Sequence, residues 1–85
     1  MTYHEIIVER IKSLCKMRGI SFNKLASMSG LNQSTIDNII RRVSKNPRIM
    51  TLHKIANAFS MTVSEFLDFS AMNEVSFEDM NSEDE

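Results

Sequence analysis

Apolar positions along this 85-residue chain recur at three- and four-residue intervals and rarely alternate. That is the period of helices with one buried face. Five times an apolar residue is followed by Thr, Ser or Asn, and four positions after that by a second apolar residue. The sets are Met1-Thr2…Ile6, Ile20-Ser21…Leu25, Leu31-Asn32…Ile36, Met50-Thr51…Ile55 and Met61-Thr62…Phe66. In each, the polar side chain can accept from an unpaired N–H at a helix start, and the apolar pair can close over the first turn. Thr2…Glu5 and Thr62…Glu65 also have the spacing of a capping box.

These signals predict five helices in an all-α fold. The first covers 3–18, with Tyr3, Ile7, Ile11 and Leu14 facing inward, and stops at Gly19, which takes a left-handed conformation without steric cost. The second covers 22–29 and buries Leu25, Ala26 and Met28; the third covers 33–42 with Ile36, Ile39 and Ile40 as its apolar residues. A loop over 43–48 ends near Pro47, which disfavours helix at Asn46. The fourth and fifth helices are expected over 52–59 and 63–68.

The charge balance divides the chain. All ten basic residues and only five acidic ones lie within 1–73, a net +5; the remaining twelve residues hold six acids and no base, a net −6. The split suggests a basic binding domain over 1–70 and an acidic tail over 71–85 whose end is disordered. Such a tail can compete with phosphate for the basic face, or simply remain solvated. One Cys excludes an internal disulfide and a thiolate zinc cluster, and suits a reducing cytoplasm. No apolar run approaches the roughly 18 residues of a membrane span. No paired carboxylates, nucleophile–base set, metal site or phosphate-cradling glycine loop is present, so neither an enzyme nor a cofactor is expected. Cys15 reads as a small core hydrophobe, His4 and His53 as surface residues, and the seven Met as gap fillers.

Ser29-Gly30-Leu31-Asn32 separates the second and third helices, and a short turn containing Gly is what a helix-turn-helix requires. Ala26 permits a close crossing, Gly30 suits the positive-φ position, Leu31 plugs the turn, and Ile36 and Ile39 anchor the third helix. The run Ile20-Ser21-Phe22-Asn23-Lys24-Leu25-Ala26…Ser29-Gly30-Leu31…Ser34-Thr35-Ile36…Ile39 resembles the lambda-repressor-like (Cro/phage-repressor, XRE-like) helix-turn-helix regulators of bacteria and phages. Asn46-Pro47…Thr51-Leu52…Ile55-Ala56-Asn57-Ala58-Phe59 is similar to that family's fourth helix, and Val63-Ser64-Glu65-Phe66-Leu67 to its fifth.

The resemblance implies a compact five-helix domain that binds double-stranded DNA as a homodimer and reads a palindromic operator with the third helix in the major groove. It assigns base reading to Gln33, Ser34, Asp37 and Asn38. Gln and Asn amides match adenine N6/N7; Asp37 can accept from cytosine N4, lie solvated, or repel phosphate from a wrong register. It assigns the DNA backbone to Phe22, Asn23, Asn32, Thr35, Arg41, Arg42, Lys45, Asn46 and Arg48. Phe22 departs from the family, where many members carry a Gln that clamps phosphate; here it packs on sugar or leaves the contact weak. Phe66, Leu67, Phe69 and Met72 exceed what one short helix can cover and are expected to form the dimer contact, unless they cap the monomer core. Two other readings remain: an antitoxin that also binds a protein partner, with Phe77 and Met80 of the tail docking on it, or an interaction module that has lost DNA binding.

Overall fold

The computed structural model describes residues 2–77. Among them lie six helices: α1 (Tyr3–Arg18), α2 (Phe22–Ser29), α3 (Gln33–Ile40), α4 (Ile49–Ala58), α5 (Val63–Leu67) and α6 (Ser70–Asn73). No described helix is long and apolar enough to cross a membrane. The last eight residues, with Met80 and most of the tail's acids, and Met1 of the first capping set, lie outside the described residues.

Helix starts follow the cap chemistry in three places. Thr2 Oγ1 accepts from the Glu5 N–H at 3.2 Å while the Thr2 N–H donates to Glu5 Oε1 at 2.7 Å. Thr62 and Glu65 make the same reciprocal pair, and Ser21 Oγ accepts from the Lys24 N–H. The Thr2 backbone N–H, and after it the Arg42 guanidinium, hold the Glu5 carboxyl below the usual carboxylate range against the opposing effect of desolvation.

Two of the five expected caps fail. Asn32 stands at the start of α3 without a side-chain cap bond. Its backbone carbonyl accepts instead from the Thr35 N–H at 3.0 Å, the donor its side chain would otherwise satisfy. Thr51 does not open α4, which begins three residues earlier behind Arg48, whose carbonyl accepts from the Leu52 N–H. Met50 is consequently no staple and stands 66% exposed. Once the chain leaves Pro47, nothing prevents helix from extending back over residues 49–51, and each residue added gains a backbone bond.

Four of the described helices end by a single device. Behind α1, α2, α3 and α4 two successive N–H groups turn back onto carbonyls of the last turn: Leu31 to Ala26 and Gly30 to Ser27 behind α2, Val43 to Asn38 and Arg42 to Ile39 behind α3. The left-handed residue is Gly19 or Gly30 in the first two, but Arg42 (φ 66°) and Ser60 (φ 59°) in the others. This is why α3 stops at Ile40 rather than at Arg42, with no glycine to announce it. An L-residue in that conformation costs about 1–2 kcal/mol. Ser60→Gly is therefore expected to raise stability by about 0.5–1 kcal/mol, after the greater entropy that glycine loses on folding. The measurement is the urea midpoint at unchanged slope; a lowered midpoint would mean that the Ser60 side chain contributes a contact of its own.

One core joins the helices. Ile7, Val8, Ile11, Leu14 and Cys15 of α1 meet Leu25 and Ala26, Ile36 and Ile39, Leu52, Ile55, Ala56, Ala58 and Phe59, and Phe66. Burial pushes the Cys15 thiol up, consistent with its packing role. Ile7, Ile11 and Leu14 face inward as expected, but the buried face of α1 is wider and takes in His4 rather than Tyr3. His4 lies on the row of Val8, Ile11 and Cys15 and is buried, neither ring nitrogen having a hydrogen-bond partner. Tyr3 is 40% exposed. Its ring stacks on Phe77, centroids 5.8 Å apart, so the chain after α6 returns to the start of α1. Met28, expected inside, is likewise exposed, one step round α2 from the buried Leu25–Ser29 row.

The sixth helix was not expected, and it changes the account of the apolar surplus. Phe66 is fully buried in the monomer core, while Leu67 and Met72 pack against that core from its edge. Phe69 lies half-buried under the Arg10 guanidinium, 4.8 Å from its ring centroid. Arg10 also donates from Nε to the Phe66 carbonyl (2.8 Å) and from Nη2 to the Glu65 carbonyl (3.0 Å). Phe66 is wholly inaccessible and therefore has no surface left for a second copy, and α6 packs back on α1.

Candidate nucleic-acid interface

α2 and α3 pack on each other, and α2 packs on α4. Ala26 is buried at this junction, where a longer side chain would drive the helices apart. Gly30 stands at φ 74°, and a Cβ there would touch nothing within 4 Å. Backbone conformation, rather than space, is what demands glycine in this turn. Ser29 Oγ donates to the Ala26 carbonyl at 3.1 Å, giving the last buried hydroxyl of α2 a partner. Leu31 lies half-buried against the core and fixes the entry to α3.

Ile36 and Ile39, both essentially inaccessible, hold α3 by one side. Helical geometry then turns Gln33, Ser34 and Asn38 to solvent, and all three are exposed; Asp37 is half-exposed beside them. Gln33 Nε2 donates to Asp37 Oδ1 at 3.0 Å. Thr35 is half-buried, and Asn23, in the first turn of α2, and Asn32, at the start of α3, are exposed.

The loop after α3 is tied down by the Asn38 carbonyl, which accepts from the N–H groups of Val43 (2.8 Å) and Ser44 (3.0 Å). Arg41, Lys45, Asn46 and Arg48 are exposed along it. Arg42 is drawn aside: its guanidinium pairs with Glu5 of α1 at 3.1 Å, linking the end of α3 to the start of α1. Phe22 is half-buried and packs against the core, so its ring is engaged by the protein itself rather than offered outward to a sugar.

Two features escaped the sequence reading, one on this surface and one at the end of α5. The Gln33–Asp37 bond follows from an i, i+4 spacing that was legible in the chain. The Arg10 clamp had only a faint signal, a basic residue on the helix 1 row next to Ile7 and Leu14.

Comparison with known proteins agrees with the geometry. The model of the Cro/C1-type HTH DNA-binding domain matches residues 10–71. The chain is 33% identical over 63 residues to the HTH-type transcriptional regulator SinR of Bacillus subtilis (strain 168), spanning 74% of this chain and 57% of that protein. It thus covers little more than half the length of this curated relative. Among solved structures, prophage Lp1 protein 11 superposes with a TM-score of 0.77 at 33% identity, over 88% of this chain and 99% of the other. SinR in complex with DNA superposes with a TM-score of 0.64 at 34% identity, over 73% and 98%. A helical body that presents α3 through a tight Gly30 turn, matched by a family model over most of its length, has one assignment: the chain belongs to the Cro/C1-type helix-turn-helix DNA-binding domain family.

Proposed function

We propose that this chain is a sequence-specific DNA-binding transcriptional regulator, acting as a repressor and reading double-stranded DNA with α3 in the major groove. The observation that carries the reading is the exposure of Gln33, Ser34 and Asn38 on a helix whose opposite side is locked by Ile36 and Ile39. An amide at such a position reaches base edges without disturbing the core. Arg41, Lys45, Asn46 and Arg48 follow on the tethered loop, where charged and polar groups suit phosphates, with Asn23 at the start of α2 and Asn32 and Thr35 at the start of α3. SinR, a similar protein, has been solved in complex with DNA, which supports DNA binding by this chain. Two copies on a palindrome would set their α3 helices about 34 Å apart. Leu67, Phe69 and Met72, at the edge of the core, are the residues through which such copies would meet.

A paired substitution tests the reading. Gln33→Ala is expected to cost about 1–3 kcal/mol on the selected site and to relax preference at one base pair. Arg41→Ala should weaken binding to all sequences alike and reduce the salt slope by about one. Titration of selected and random duplexes at several salt concentrations measures both. Equal losses on the two duplexes from Gln33→Ala would remove its base-reading role.

A further inference from the structure

We infer that Asp37 is a positioning residue for Gln33, restricting the amide of that side chain to adenine and denying it to guanine. The inference rests on α3 being the base-contacting helix and adds the chemistry of one of its contacts. Gln33 and Asp37 are one helical turn apart, and the amide nitrogen of Gln33 lies 3.0 Å from Asp37 Oδ1. A carboxylate only accepts, so only the NH2 end of the amide can face it. The bond therefore settles which way round the amide stands and occupies one of its two N–H donors.

What remains for a base is one N–H and the carbonyl oxygen. Adenine offers a complementary pair in the major groove, an acceptor at N7 and a donor at N6. Guanine offers acceptors at both N7 and O6. An amide free to rotate can turn its NH2 so that its two hydrogens address both guanine acceptors. With one hydrogen held by Asp37, that arrangement is closed, and the amide oxygen would confront O6 of guanine. Discrimination here comes from a bond made within the protein before any base arrives. The carboxylate also repels phosphate, but that effect acts on every sequence equally and leaves base ratios unchanged.

The test uses the full 85-residue chain and a duplex selected from a random pool. The position read by Gln33 is the base pair whose preference disappears in Gln33→Ala; duplexes carrying each of the four pairs there are then titrated. The wild type is expected to prefer adenine over guanine by roughly 5- to 150-fold, the range of one bidentate match. Asp37→Ala should strengthen binding to all four duplexes yet lower the adenine-to-guanine ratio by about threefold or more, within that range. In the Gln33→Ala background the same Asp37 change should leave the ratio where it was, since the residue acts through Gln33. An unchanged ratio in Asp37→Ala, an equal change in both backgrounds, or a Gln33-dependent preference for another base each overturns the inference while leaving DNA reading by α3 intact. Absence of any sequence preference in the wild type overturns that reading and the inference with it.

Discussion

Phe66→Ala is expected to cost about 3–5 kcal/mol of folding stability, the usual range for truncating a fully buried phenylalanine. The ring is wholly inaccessible and belongs to the same core as Ile7, Ile55 and Phe59. Its removal leaves a void that α5, only five residues long and anchored by the Thr62–Glu65 capping box, cannot close by moving without breaking the box. At about 0.05–0.15 kcal/mol per residue, a chain of this size has a total stability of the same order as the loss. The variant should therefore be largely unfolded at moderate urea. Had Phe66 been a contact between copies, the substitution would change the concentration dependence of association and spare the monomer. Urea unfolding at two protein concentrations separates these outcomes. A monomer that keeps its stability would contradict the burial described above.

Arg10→Ala follows, with an expected loss of about 2–3 kcal/mol. One guanidinium satisfies the carbonyls of Glu65 and Phe66 and lies over the Phe69 ring. The Phe66 carbonyl stands at the end of α5, where no further helical turn supplies a donor, and the Glu65 carbonyl otherwise accepts only from the Asp68 N–H at 3.2 Å; a charge-assisted bond is worth more there than a neutral one. Arg10→Lys should recover only a minor part, because a single ammonium cannot hold two carbonyls in a fork and stack on a ring together. Urea unfolding of both variants, with amide exchange at Phe66–Phe69, is the measurement. A loss below about 1 kcal/mol would reduce the clamp to an ordinary surface contact.

The helix-turn-helix was largely legible in the chain because its signals are local. Ser21 and Thr62 cap through side chains only three residues from the donors they satisfy, and Gly19 and Gly30 end helices by a backbone preference intrinsic to glycine. The phase of α3 was legible for the same reason: with Ile36 and Ile39 inward, the 3.6-residue period places Gln33, Ser34 and Asn38 outward. Local signals failed where a competing local option existed. Thr51 had the cap spacing, yet backbone bonds extended α4 back to Ile49. Arg42 ends α3 in a conformation its residue type gives no reason to expect, beside a Glu5 carboxylate thirty-seven positions earlier.

From the amino-acid order alone follow the all-helical class, the Gly30 turn and the polar outer side of α3. Each depends on interactions within about four residues, so few chain conformations compete with them. Tertiary structure alone decided that His4 is buried and Tyr3 exposed, that Phe66 belongs to the core and that Arg10 seals α5. The Arg10 and Phe66 outcomes depend on which surfaces meet once the chain beyond α5 returns to α1. The contacts responsible join residues more than fifty positions apart, and their closure is set by the packed shape as a whole rather than by any short stretch of chain.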